Sequence, residues 1–289
     1  MKSIWNEKML LIMRKQYVKQ LEKKGIDFKT PRKYWNKNAV ELKRLSNIIE
    51  NKDVKYPKYF TETIHTYTNG HLNWQQAYES ECHMEGSALM SLKELRPEDY
   101  STIDSRNAYE IYKEHILLNI KDVIEIDEIE TLTDFGCGTG SLTRKMTDIL
   151  KVNKITAVDL SPNYLSIALF QDNTNEKIDY IHGNMENVNI KSETQDVVTI
   201  CYSFHEMPKT AIMSTIKNAY RILKPKGQLI IVDMNPEKIT KYPSFIDISE
   251  PHLKEYREIT YQDLLKQNKY INIKEKYLHQ LSYMFTGFK

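Results

Sequence analysis

Two rhythms of apolar spacing divide the chain. Up to about residue 120 the apolar positions recur at helical spacing, and no strand-like run interrupts them. Residues 4–24, IWNEKMLLIMRKQYVKQLEKK, read as a helix stopped by Gly25. A second helix is expected over about 34–50, carrying Val40, Leu42, Leu45, Ile48 and Ile49. DVKYPKYF breaks the pattern, and Asn69 with Gly70 marks a turn. Further helices are expected over 72–95, ending before Pro97, and over 104–120, with Asp104 or Ser105 as N-cap.

From residue 129 short apolar runs alternate with amphipathic ones. ETLTDF, KITAVDL, IDYIHGN, DVVTICYSF and QLIIVDM read as strands. DVVTICYSF is apolar almost throughout, as a strand buried on both faces should be. SLTRKMTDIL, SPNYLSIALF and KTAIMSTIKNAYRIL read as the helices between them, with Ser161 as an N-cap and Pro162 at the first helical position. KPKG reads as a turn, TYQDLLKQ as a late helix, and INIKEKYLH and LSYMFTGFK as closing strands. This alternation predicts an α/β fold, a parallel sheet covered by helices on both faces. The expected division is an N-terminal helical extension, 1–120, and a sheet domain, 121–289.

Composition adds limits. The 289 residues are 40% hydrophobic and 28% charged, which suits a globular chain with a sizeable core. No apolar run approaches the roughly 18 residues of a membrane span, and MLLIM is too short for a signal-peptide core. The reading is therefore an intracellular, cytoplasmic protein without a membrane span. Cys82, Cys137 and Cys201 are scattered and odd in number, so neither a disulfide framework nor a structural zinc site is expected. Cys82 and His83 are the one adjacent Cys–His pair, and no metal is expected. Net charge is +2, but residues 1–58 carry 16 Lys and Arg against 6 Asp and Glu, leaving a net −8 for the rest. A basic arm can grip nucleic acid. With acids interspersed and no Arg-rich run, docking on the acidic body is the favoured reading.

The most informative stretch is TLTDFGCGTG, at the end of the first expected strand. Gly136, Gly138 and Gly140 remove side chains at alternate positions, so the backbone can approach a ligand closely. The helix starting near Ser141 points its free N–H groups at the same place. The G-x-G-x-G spacing is one residue tighter than the dinucleotide fingerprint, and no G-K-[ST] follows, which excludes a P-loop. Asp159 closes the second strand, where a carboxylate can accept both hydrogen bonds of a ribose diol. Nicotinamide enzymes use that feature too.

Residues 129–236 resemble the class I S-adenosylmethionine-dependent methyltransferases. DFGCGTG is similar to their first motif, AVDLS to the second, IHGNMENV to the third and DVVTICYSFHEMP to the fourth. AYRILKPKGQLIIVDM resembles the helix, turn and strand that follow. The resemblance implies a Rossmann-like, doubly wound seven-stranded sheet and S-adenosyl-L-methionine as cofactor. It implies that Asp134 takes the ammonium of the methionine part and that Gly136 and Gly138 pack on its backbone. Cys137, Gly140 and Ser203 are also expected to bind the cofactor. Asp159 would hold the ribose, Leu160 would lie against adenine, and the Met185 N–H would meet the ring. Asn184 stands where the family usually has Asp, and its amide oxygen can still accept from the adenine amino group.

Methyl transfer needs a base only where the acceptor loses a proton. His205 and Glu206, in SFHEMP, sit at the expected mouth of the crevice. His205 titrates near neutrality in an ordinary setting and is the better base candidate. Glu206 could instead cap the next helix. IHTYTNGHLNWQQAYESE is the densest polar–aromatic stretch outside the core, so Tyr67, His71 and Trp74 are the acceptor-side candidates. TYTNGHLNW and EPHLKEYREIT resemble segments of a type 11/25-like branch with an N-terminal helical region. A small-molecule acceptor is favoured. An RNA or protein methyltransferase gripping through the basic arm, or a non-catalytic cofactor-binding protein, stays open. For a base N-methylating enzyme the usual N/D-P-P-Y/F is missing; SFHEMP stands in its place.

Overall fold

The computed structural model describes residues 2–172, 176–234, 236–239, 250–279 and 282–289. Six helices come first: α1 (Lys2–Lys23), α2 (Lys29–Lys37), α3 (Ala39–Ile49), the single turn α4 (Lys58–Thr61), α5 (Trp74–Leu95) and α6 (Ser105–Val123). There follow β1 (Thr131–Phe135), α7 (Ser141–Ile149), β2 (Lys154–Asp159), α8 (Pro162–Gln171), β3 (Ile178–His182), β4 (Gln195–Cys201), α9 (Lys209–Ile222) and β5 (Leu223–Met234). The short helices α10 (Pro236–Ile239) and α11 (Leu253–Tyr256), then α12 (Tyr261–Gln267), β6 (Ile271–His279) and β7 (Ser282–Phe288), complete the chain.

The seven strands form one sheet in the order β3-β2-β1-β4-β5-β7-β6. Only β7 runs against its neighbours, β5 and β6. Strand order reverses between β1 and β4, and in such sheets a ligand crevice opens past the carboxyl ends of the strands at that point. Successive strand residues face opposite ways. Phe135, Val158, Val198 and Ile200 therefore pack with Ile212, Ile216 and Ala219 of α9 and Leu264 and Leu265 of α12. Leu132, Ile155, Ala157 and Val197 pack on the other face with Ile116, Leu117 and Ile120 of α6 and Met146 of α7. Each fully buried aliphatic side chain of this kind contributes about 1.5–3 kcal/mol. Helix α6 thus belongs to the sheet's core although it begins fifteen residues before the expected division at about 120.

The helix expected over 34–50 is two helices. Asn38 separates them: its side-chain Nδ2 donates to the Tyr34 carbonyl at 2.9 Å and its backbone N–H reaches Tyr34 and Trp35. That local bond competes with helix continuation. Helix α2 starts earlier than expected because Asp27 accepts from the Lys29 and Thr30 amides at 2.8 and 3.1 Å. KPKG is not a turn before the strand but a bulge within β5. Pairing jumps from Gln195–Leu223 to Val197–Gln228, with Lys226 at φ +67°.

The basic N-terminal arm is docked. Arg14 and Arg32 both reach the fully buried Glu79 of α5, at 2.9 and 2.7 Å. Helix α3 lies against α8. The segment linking α4 to α5 crosses the carboxyl end of the sheet: Ser161 Oγ donates to the His71 carbonyl and Asn163 Nδ2 to the Leu72 carbonyl, both at 2.7 Å.

Candidate functional site

The glycine loop leaves β1 with Gly136, Gly138 and Gly140 at φ +73°, +56° and +70°, values that side chains other than glycine's adopt only at a cost. The amides of Gly136 and Cys137 both bond to the Val158 carbonyl, at 2.8 and 3.1 Å, tying the loop to β2. A Cβ on Gly136 would lie 2.2 Å from Ser203 Oγ, so the loop after β4 closes directly onto the first glycine. At Gly138 an added Cβ would meet only the Tyr164 ring, at 3.7 Å. The Gly138 amide donates to Asp159 Oδ2 at 2.9 Å and the Ser161 amide to Oδ1 at 2.8 Å. Burial pushes the Asp159 carboxyl up, and these two amides pull it down.

Asp134 lies beneath the loop, 3% exposed. The hydroxyls of Thr143 and Thr199 donate to its two oxygens at 2.6 and 2.8 Å. Burial prevails over these bonds and pushes its pKa up to about 6. Burial also pushes the Cys137 thiol well up, with Asp159 and Asp134 adding to the effect. Leu160 is buried, and its carbonyl accepts from His182 Nε2 at 3.1 Å. The Asn51 amide donates to His182 Nδ1 at 3.0 Å, which assigns the ring proton to Nε2. Asn184 forms a turn with Glu186: its Oδ1 accepts the Glu186 amide at 2.9 Å, leaving one lone pair for another donor. The Met185 carbonyl accepts from Asn218 Nδ2 at 2.8 Å.

At the mouth, Phe204–Glu206 form one tight turn after β4. His205 Nδ1 lies 2.7 Å from Oδ1 of Asp233, a fully buried acid at the end of β5. Asp233 Oδ2 also accepts the Phe204 amide at 2.8 Å. Burial disfavours the imidazolium, but the Asp233 carboxylate outweighs it and pushes the His205 pKa up to about 9. His205 therefore holds its proton at neutral pH. This corrects the sequence expectation of a ring titrating near 7: the acid partner lies 28 residues downstream.

Glu206 does not cap α9, whose first turn follows Pro208 without a side-chain cap. It pairs with His65, and its Oε2 lies 3.1 Å from His71 Nε2. Burial opposes its ionisation, yet His71 and His65 hold the carboxyl well below the usual range. His65 Nδ1 also lies 2.5 Å from Glu250 Oε1. Burial lowers the His65 pKa, but Glu250 and Glu206 together raise it well above the ordinary value.

Of the three acceptor-side candidates, His71 reaches this mouth. Tyr67 does not line it: the residue is 2% exposed and its hydroxyl donates to Glu79 Oε2 at 2.6 Å, with His83 Nε2 at 2.9 Å. Trp74 packs with Trp35, Ala77 and Ile167 between α2, α5 and α8. Both pack in the cap, where an aromatic-rich stretch also has to supply the cap's own core. Sequence reading missed His65, Asp233 and Glu250. His65 and Glu250 lie inside two stretches that the sequence had already marked, IHTYTNGHLNWQQAYESE and EPHLKEYREIT, and Asp233 left its own trace, a carboxylate inside the apolar run LIIVDM.

Residues 132–227 match the family model described as methyltransferase domain. A demethylmenaquinone methyltransferase of Bacillus licheniformis is 28% identical over 137 residues, covering 46% of this chain and 58% of that protein. A malonyl-[acyl-carrier protein] O-methyltransferase of Halalkalibacterium halodurans is 30% identical over 114 residues, covering 38% of this chain and 41% of that protein. The chain thus spans about half the length of the curated relatives it matches. A solved structure from Methanococcus maripaludis, described as an S-adenosyl-L-methionine-dependent methyltransferase, aligns with TM-score 0.51 at 18% identity, covering 81% of this chain and 96% of that one. Haemonchus contortus phosphoethanolamine N-methyltransferase 2 aligns with TM-score 0.51 at 14% identity over 62% of this chain and 52% of that one. These likenesses show the shared fold. The sheet order and the glycine loop agree with the match of residues 132–227 to a methyltransferase domain.

Proposed function

We propose that this chain is an S-adenosylmethionine-dependent methyltransferase acting on a small organic acceptor in the cytoplasm. The observation that carries the reading is the cradle at the β1–β4 reversal: three left-handed glycines, with the Gly138 amide fixed on Asp159. The donors fit the cofactor. Asp159 would hold the ribose hydroxyls, Asp134 the ammonium, and Gly136, Cys137, Gly138, Gly140 and Ser203 would pack on the methionine half. Leu160, Asn184 and Met185 would meet the adenine. When bound, the cofactor supplies an electrophilic methyl group for in-line attack, and the protein supplies placement and exclusion of water. His205, oriented by Asp233, and His71 with Glu206 would face the acceptor. The two relatives above are named for a demethylmenaquinone and a malonyl-carrier substrate, so the reading stays at the level of a small acceptor. Cys82, Cys137 and Cys201 are free thiols, as suits a reducing compartment.

The basic arm as an RNA grip finds less support, because Arg14 and Arg32 are spent on Glu79. Calorimetric titration with S-adenosylhomocysteine, and NADH as the comparison ligand, tests the reading. One-site binding of the first alone is expected. Binding of NADH alone, or of neither, would overturn it.

A further inference from the structure

Three segments far apart in sequence converge at the crevice mouth. His65 comes from the cap, Glu206 from the turn after β4, and Glu250 from the stretch before α11. One ligand-type atom from each residue lies within 4.8 Å of the others. Metal–oxygen and metal–nitrogen bonds are about 2.0–2.2 Å, so atoms on opposite sides of one ion stand about 4 Å apart. His65 faces the two carboxylates with opposite ring nitrogens, Nε2 toward Glu206 Oε1 and Nδ1 toward Glu250 Oε1, so one ion takes one of these nitrogens and draws the other carboxylate round to it.

A second observation is independent of the clustering. Glu250 is 9% exposed, and while its Oε1 faces His65, its Oε2 is buried with no hydrogen-bond partner among the described residues. A buried carboxylate oxygen without a partner is costly, and bound cations are one standard resolution. The cap's backbone is also strained at this point. His65 and the β-branched Thr66 hold φ +49° and +68°, a region such residues rarely adopt.

We propose that His65, Glu206 and Glu250 form a binding site for one divalent first-row transition cation. One imidazole and two carboxylates suit Mn²⁺, Fe²⁺ or Zn²⁺. Two carboxylates balance the ion's charge, and three protein ligands leave positions open for another oxygen. His71, bonded to Glu206 Oε2, orients that ligand from behind. The role of the ion rests on the methyltransferase reading: it would hold an acceptor through a hydroxyl or carboxylate oxygen beside His205. Cation binding itself does not rest on that reading.

The test uses the tag-free full chain, stripped with chelator and titrated with Mn²⁺ and, separately, Zn²⁺ by calorimetry. S-adenosylhomocysteine is titrated in parallel as a check of folding and of the cofactor site. The expected result is one ion per chain for at least one metal. Glu250→Gln and His65→Ala should each weaken it at least tenfold, and the exposed control Glu275→Gln should leave it unchanged. Both cluster variants should keep their S-adenosylhomocysteine affinity. Wild-type protein that binds S-adenosylhomocysteine but takes up neither metal stoichiometrically overturns the proposal. So does metal uptake by both cluster variants equal to that of wild type. Stoichiometric metal binding without S-adenosylhomocysteine binding would sink the methyltransferase reading and leave the cation site standing.

Discussion

Asp134 carries the prediction with the clearest magnitude. Its carboxyl is 3% exposed and its pKa moves from 3.8 to about 6, chiefly through burial. In the unfolded chain the same group ionises near its ordinary value. Between pH 3.8 and about 6 the folded protein therefore binds a proton that the unfolded chain has released. Stability from this group is fully present below the lower value and is lost as pH rises through about 6. A shift of about 2 units corresponds to about 3 kcal/mol at neutral pH. Asp134→Asn keeps the shape and removes the ionisation. Urea unfolding of wild type and variant from pH 4.5 to 7.5 cancels the other titrating groups in the difference. Wild type should lose about 3 kcal/mol relative to the variant across the full transition, most of it between pH 4.5 and 7. A cationic amine placed at Asp134 favours the ionised form. S-adenosylhomocysteine binding near pH 6 should therefore release a proton, seen as a heat that depends on the buffer and disappears in the variant. A difference between wild type and variant that stays flat with pH would refute the burial argument.

Three further outcomes follow from the geometry. Gly136→Ala meets Ser203 Oγ at 2.2 Å and a φ of +73°, so S-adenosylhomocysteine affinity should fall more than tenfold. Gly25→Ala, at φ +88° with nothing within 4 Å, should cost only backbone strain of about 1–2 kcal/mol; equal losses of affinity would show that Ser203 is irrelevant. His205→Ala should lower methyl-transfer kcat far more than cofactor affinity, and unchanged turnover would remove His205 from the chemistry. Tyr67→Phe takes a hydroxyl from the buried Glu79 and should cost about 1–2 kcal/mol in thermal unfolding. Acceptor KM should not change, and a raised KM would return Tyr67 to the acceptor side.

The sheet was legible because each strand and helix announced itself locally. Ser161 and Pro162 mark the start of α8, and the Ser161 hydroxyl does accept the Tyr164 amide. The proposed cofactor cradle was legible for the same reason: its glycines and Asp159 lie at the ends of strands that the apolar pattern already placed. The mouth was not. His65, Glu206 and Glu250 span 185 residues and meet only through the fold. The Asp233–His205 bond joins two strand ends that are neighbours in the sheet, not in the chain. Tyr67 and Trp74 were acceptor-side candidates beside His71 because polarity and aromaticity look alike at a site and in a small cap core. Only burial separates the two: Tyr67 is spent on Glu79, while His71, four residues on, emerges at Glu206.

The cap's attachment leads to a final prediction. The segment 64–72 rests on α8 through two carbonyls, those of His71 and Leu72. Its own backbone bonds are few, a single Ile64–Tyr67 bridge and the turn at Asn69. It carries left-handed residues at His65, Thr66 and Asn69. Few backbone bonds and left-handed residues favour local opening of its backbone, against the hold of the buried Ile64 and Tyr67 and of the pairing of His65 and His71 with Glu206. Ser161, which anchors it, is also the residue whose amide holds Asp159. A ligand seated on Asp159 therefore fixes the anchor as well. Amide hydrogen exchange over 64–72 should be fast in the free protein and slow at least tenfold with saturating S-adenosylhomocysteine. Asn163→Ala, which removes the bond to Leu72, should speed exchange there in the free protein while leaving the strands β1 and β4 protected. Exchange over 64–72 as slow as that of β4 without ligand would mean that the cap is rigid, and entry to the crevice would then have to run past another edge.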